Sequence, residues 1–349
     1  MPGKRPVMSP QYRFALAFFN EDGTSLGQFP FEVDFEPATE WTRFLAARRR
    51  ALKWYLGTEQ ARIEPTWHST EKAPYVEGFS VELPGGGDGD GSGKLLGTFG
   101  ASYFAEKAQL VASRLIAAGE LSPAGRFFYL PLAYPLAVSL ETSKAPFTAR
   151  EVMPSLDIGE LRLEERRLGA TASGTMSEDD MPLFMPRRVL DEVSALAHRA
   201  GSMETGGVLI GHLYRDPDEP EIFAEITAQV HARTAQAESN KLTFTAETWT
   251  DVSSALELRR EGEIWLGYWH SHPLAEWCKK CPPEKRNTCL VSRDFFSADD
   301  RALHRAVFPR AYSVALVVNM AGESDRSFSL FGWNQGVIAP RGFYLDPKR

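Results

Sequence analysis

At 349 residues the chain has room for two domains, and 43% hydrophobic with 24% charged residues is the balance of an ordinary globular protein. A formal net charge of −7, with no long Lys/Arg run, argues against a nucleic-acid partner. No stretch approaches ~18 consecutive apolar residues and the opening MPGKRPVMSPQYR leads into no signal-peptide core, so a cytoplasmic protein without a membrane partner is expected.

The predicted elements begin with a hairpin. YRFALAFFN, from Tyr12 to Asn20, is rich in β-formers, Glu21-Asp22-Gly23 supplies the turn, and LGQFPFEVDF is the second strand. From Thr39 to Leu56, Trp41, Phe44, Leu45, Leu52 and Trp54 fall at helical spacing, with Thr39 as cap and Gly57 as stop. A strand pair is expected between Arg62 and Leu83. The Gly-rich run from Pro84 to Gly93 lacks the G-K-[ST] ending of a phosphate loop and carries aspartates that would repel phosphate, so it reads as a flexible loop. A strand near Leu95 to Tyr103, a helix near Phe104 to Gly119 and a strand at Arg126 to Leu132 complete an α+β domain of unassigned family over residues 1–145. Residues 146–181, polar and small with the charged ELRLEERR inside, read as a linker.

From residue 182 to 349 the pattern is that of an α/β domain. PLFMPRRVLDEVSALAHRAG is a strand and an amphipathic helix, ETGGVLIGHLY a buried strand, and EIFAEITAQV and KLTFT further strands. AETWTDVSSALELRREG reads as a helix ending at Gly262, followed by the strand IWLGYWH, a helix after Ser297, and the strands YSVALVVNM and SFSLFGW.

Chemistry concentrates between Glu263 and Asp300. Strand alternation puts His270 and His272 on one face with Cα atoms roughly 6–7 Å apart, close enough for both imidazoles to reach one zinc, and Pro273 ends the strand just beyond them. Asp300, on the first turn of the helix that Ser297 opens, is the natural third ligand. That S-x-x-D spacing is also a common helix cap, and Ser177-Glu178-Asp179-Asp180 repeats it in the expected linker. Upstream, Met203 to Gly211 reads as a helix end, an acid and a Gly-rich buried strand, so Glu204 stands at a strand entrance.

E-T-G-G-x-L-x-G, G-x-W-H-S-H-P and S-x-x-D, in that order, resemble the JAMM (MPN-plus) zinc metallopeptidases, particularly the prokaryotic branch. The resemblance covers about half the chain, from near Pro182 to near the C-terminus. It implies a JAMM/MPN-type sheet with flanking helices, a catalytic zinc on His270, His272 and Asp300, Glu204 as general base and Ser297 as donor to the oxyanion. The implied activity is an isopeptidase that removes or processes a ubiquitin-like modifier after a Gly-Gly tail, beside cognate activating and conjugating enzymes, with antiphage defence as one setting. Processing of sulfur-carrier proteins is a second enzymatic option. A non-catalytic MPN scaffold is the alternative from another class, and the retained Glu204, His270, His272 and Asp300 count against it.

One departure from the family is the insert at 274–296, which holds Cys278, Cys281 and Cys289, all the cysteines of the chain. Together they leave no disulfide framework and suggest a second, structural zinc, with Asp294, Glu276 or His304 as fourth ligand. His68, His198, His212 and His231 have no comparable company and read as structural, as does His304, the one among these that neighbours the site.

Overall fold

The computed structural model describes residues 12–49, 61–68, 74–83, 95–136, 156–237, 242–282, 295–322 and 325–346. It divides the chain into two compact units, Met1–Leu156 and Asp157–Arg349. The expected Gly-rich loop at 84–93 and the C-terminal part of the first expected helix lie outside the described residues.

In the first unit, β1 (Tyr12–Asn20) and β2 (Ser25–Phe31) form the expected antiparallel hairpin. Helix α1 (Glu36–Arg48) follows, then β3 (Arg62–Trp67), β4 (Val76–Leu83), β5 (Leu95–Gly100), α2 (Ala105–Ala117) and β6 (Phe127–Pro135). Two three-stranded sheets result, β2-β1-β6 and β3-β4-β5. Period-2 alternation turns Phe14 of β1 toward Phe35 and Phe104, at ring separations of 5.6 and 5.9 Å, and Phe79 of β4 meets Phe35, Phe99 and Tyr103. Thr39 is not the cap of α1. The helix begins a turn earlier, with Pro37 in its first turn, where a fixed φ and a missing N–H cost nothing, and the Thr39 hydroxyl donates back to the Phe35 carbonyl at 2.9 Å.

The second unit opens with β7 (Ile158–Glu160), α3 (Leu163–Arg167) and β8 (Thr171–Ser173), all from the segment expected as linker. Then come β9 (Leu183–Pro186), α4 (Arg187–Ala200), β10 (Gly206–Arg215), β11 (Ile222–His231), β12 (Gln236–Ala237), β13 (Leu242–Thr243) and α5 (Ala246–Arg259). The chain continues through β14 (Ile264–His272), α6 (Leu274–Trp277), α7 (Ala298–Val307), β15 (Val314–Met320), β16 (Arg326–Asn334), β17 (Val337–Arg341) and β18 (Phe343–Asp346). Ten of these strands make one sheet in the order β17-β16-β15-β14-β10-β11-β9-β18-β8, with β7 continuing the β14 side of β10.

The expected linker therefore contributes residues 157–181 to this unit. One of its charges is paired inside the fold: Arg166 lies 2.9 Å from Glu225 and 3.2 Å from Asp346, and its guanidinium covers the Phe184 ring. Strands β17 and β18 were not expected either. Pro340 and the glycines flanking β17, Gly336 and Gly342, read as turn residues in sequence, yet both strands pair in register with their neighbours.

The strand that carries the two histidines, β14, lies inside the sheet, antiparallel to β10 and parallel to β15. That placement explains its near-continuous apolar and aromatic sequence, buried from Leu266 onward. A register shift against β10 falls at Leu266 and Gly267, and a β-carbon on Gly267 would lie 1.8 Å from the Val314 carbonyl oxygen at a φ of +157°. Glycine is obligatory at this kink, which sets the alternation of Tyr268, His270 and His272 beyond it. Among the described residues no helix is long and apolar enough to cross a membrane.

Candidate metal centre

Beyond the kink, β14 projects Tyr268, His270 and His272 from one face of the sheet. Both histidines are 2% exposed, and their Nε2 atoms face each other at 3.0 Å. Helix α7 brings the third group: Asp300 Oδ1 lies 3.4 Å from His270 Nε2, and the three donor atoms all fall within 4.8 Å of one another. Ligand atoms of a tetrahedral zinc, bound at about 2.0–2.1 Å, are separated by roughly 3.3–3.4 Å, so two nitrogens and a carboxylate oxygen in this arrangement fit zinc in both spacing and donor type. Among the described residues this is the one group of three such side chains close enough to hold a metal.

A capping box aims the carboxylate. The Ser297 hydroxyl accepts from the Asp300 N–H at 3.0 Å, and Ser297 N–H donates to Asp300 Oδ2 at 2.8 Å, which leaves Oδ1 toward His270. Tyr268 Oη donates to the Asp300 carbonyl at 3.1 Å, tying the first turn of α7 to β14, and its ring stacks on His270 at 5.8 Å. Ser297 thus has the capping role its spacing suggests.

Glu204 enters from the chain just ahead of β10. Gly206 stands opposite His270 in the antiparallel register, where a β-carbon would lie 2.4 Å from the Trp269 carbonyl, so the Gly-Gly pair lets the two strand ends close together. Glu204 is 5% exposed and lines a cavity of 770 Å³ with His272, Ser297 and Asp300. Leu242, Phe244, Trp277, Phe295 and Leu303 give the same cavity apolar walls. Trp277 packs on the His272 ring at 4.8 Å.

The electrostatics follow from burial and from these neighbours. Burial pushes the Glu204 carboxyl up to about 7, with His270 opposing and Asp300 adding to the rise. Burial alone would raise Asp300 as well, but His270 and the capping hydrogen bonds from Ser297 hold it well below the usual carboxylate range. Burial and the adjacent His270 push His272 down to about 3. His270 moves the other way: burial lowers it, but Asp300 beside it and Glu204 beyond raise it above the usual imidazole value.

His304, offered by the sequence as a ligand for the cysteine insert, is enclosed by Tyr268, Phe296, Phe308 and Trp333. It is a packing residue. Burial pushes it down to about 3, with Arg305 adding to the effect and the Ser313 backbone opposing it. A base that is neutral when folded and titrates near 6.5 when unfolded leaves stability untouched above pH 6.5 and erodes it as pH falls from there toward the folded value. His304→Phe is therefore expected to match wild type near pH 7.5 and to exceed it by about 2 kcal/mol at pH 5, measured by urea unfolding of metal-free protein.

Of the insert, Cys278 is buried at the end of α6 and Cys281 follows in the next turn, whereas Cys289 and Asp294 lie outside the described residues.

Residues 186–276 match the family described as prokaryotic homologs of the JAB domain, which puts a JAB domain in the C-terminal region. The matched segment contains Glu204, His270 and His272 and stops before Ser297 and Asp300, which the fold itself brings to the histidines. One solved structure with similarity is the solution structure of a protein from Desulfitobacterium hafniense: 18% identity, TM-score 0.31, covering 48% of this chain and 94% of that one. No curated protein matches the chain.

Proposed function

We propose that the C-terminal unit is a zinc-dependent peptidase or isopeptidase that cuts after the Gly-Gly tail of a ubiquitin-like modifier. The observation that carries this reading is the convergence of His270, His272 and Asp300, together with the buried acid Glu204, which lines one cavity with His272 and Asp300. A zinc ion held there would supply a Lewis acid for the scissile carbonyl and a hydrolytic water of lowered pKa. Glu204 takes the proton as water adds to the carbonyl carbon and returns it to the nitrogen when the C–N bond breaks, so the amine leaves neutral. The Ser297 hydroxyl, which accepts from the Asp300 N–H, turns its proton to the oxyanion as charge develops there. His272 and Asp300 orient the site, and the apolar walls formed by Leu242, Phe244, Trp277 and Phe295 suit an extended tail without large side chains.

The first unit contributes none of these residues, and we assign it the choice of conjugate or of partner enzymes, in a bacterial conjugation or defence system. The test is hydrolysis of a linear fusion in which a ubiquitin-like modifier ends in Gly-Gly before a reporter protein. Zinc-loaded protein should release the reporter, and exhaustive chelation should abolish the release until zinc is restored. Turnover that survives chelation would end the proposal.

A further inference from the structure

We propose that His231 is a positioning residue: through the Thr205 hydroxyl it fixes the short segment that carries Glu204. Glu204, just ahead of β10, lines the cavity on the metal-site face of the sheet, whereas alternation along β14 sends Trp269 and Ser271, which meet His231 and Thr205, to the other. On that other face, His231, the last residue of β11, lies opposite Gly207, and its Nε2 is 3.0 Å from Thr205 Oγ1. The imidazole stacks on Trp269 at 6.3 Å and 25° between planes, and Trp269 is held in turn by Gln229, whose Oε1 accepts from the indole N–H at 3.1 Å.

The remaining polar groups of Thr205 are also engaged. Its N–H donates to Ser271 Oγ at 3.0 Å, and its carbonyl accepts from the Ser271 N–H at 2.8 Å, between the two histidines. The Gly206 carbonyl accepts from the Ala232 N–H at 2.9 Å, immediately after His231. Backbone bonds thus fix where the segment lies, whereas the His231 contact is the one side-chain tether on Thr205 from β11. Rotation about the Thr205 backbone would swing Glu204, its neighbour, relative to His270. His231 is half-buried, and burial, with Arg233 and Arg199 adding to the effect, keeps its pKa below the ordinary imidazole value, which suits a neutral ring sharing one proton with a hydroxyl.

This inference rests on the reading of Glu204 as the base, and the experiment separates the two. Full-length His231→Leu, His231→Gln, Thr205→Val and the His231→Leu/Thr205→Val pair would be compared with wild type and Glu204→Gln. Zinc content, kcat and KM on the Gly-Gly fusion, and hydrogen exchange at the Thr205 and Gly206 amides would be measured. Glutamine can place a polar atom where His Nε2 stands. The expected result is wild-type zinc and KM, roughly tenfold lower kcat and faster amide exchange in His231→Leu and Thr205→Val, recovery in His231→Gln, and no further loss in the double variant. Unchanged amide exchange and kcat in His231→Leu, with Glu204→Gln inactive, would overturn the tether and leave the base assignment standing. Additive losses in the double variant would also overturn it, because the two residues would then act separately. Full activity of Glu204→Gln would refute the base itself, while the exchange data would still decide whether His231 holds the segment.

Discussion

Glu204→Gln is expected to keep the zinc content of the wild type while kcat on a Gly-Gly modifier fusion falls by about 10²–10⁴-fold. Glutamine has nearly the shape of glutamate, so the 5%-exposed site stays filled, and Glu204 stands outside the group of three donors. The change removes one thing, a carboxylate that can take and return a proton. Elemental analysis and turnover on the same preparation check it together. Loss of zinc in step with activity would move Glu204 into the ligand set, and undiminished turnover would remove it from the reaction.

Removing a ligand should behave in the opposite way, with affinity failing first. His272→Ala takes away one of two nitrogens 3.0 Å apart and is expected to weaken zinc binding beyond the ten- to hundredfold cost of losing a mere partner of a ligand, with activity at background. Asp300→Asn is the sharper variant. An asparagine oxygen can still accept from Ser297 N–H and preserve the cap on α7, so the helix should persist while zinc affinity drops for want of the negative oxygen. Competition with a chelator of known affinity reads both. Wild-type affinity in either variant would show that the residue does not bind the metal.

Much of the site could be read from local pattern. Two histidines at period 2 ahead of Pro273 mark one face of a strand end whatever the rest of the fold, and Asp300 at three residues from Ser297 marks the first turn of a helix. Their meeting depends on β14 and α7 packing together, a tertiary fact to which the Tyr268 hydroxyl contributes and which no spacing encodes. His231 reads only as structural in the sequence for a related reason: its contact with Thr205, 26 residues away, follows from the register of β11 on β10. In the fold, long alternating or apolar strands such as β1, β10 and β15 were legible. Strands β7 and β8, of three residues each, are too short to show a period, and nothing local to α3 encodes the Glu225 and Asp346 partners that Arg166 meets across the fold.

The carboxylate of Asp300 serves two structures at once, one oxygen closing the first turn of α7 and the other facing the histidines. Metal uptake and order in that turn are therefore linked equilibria. Whatever firms the turn raises affinity for the ion, and the ion returns the same free energy to the turn. A protein that docks on α7 would thereby change the hold of these side chains on a metal without touching a ligand, and loss of such a metal is expected to show first as fraying of the helix that borders the cavity.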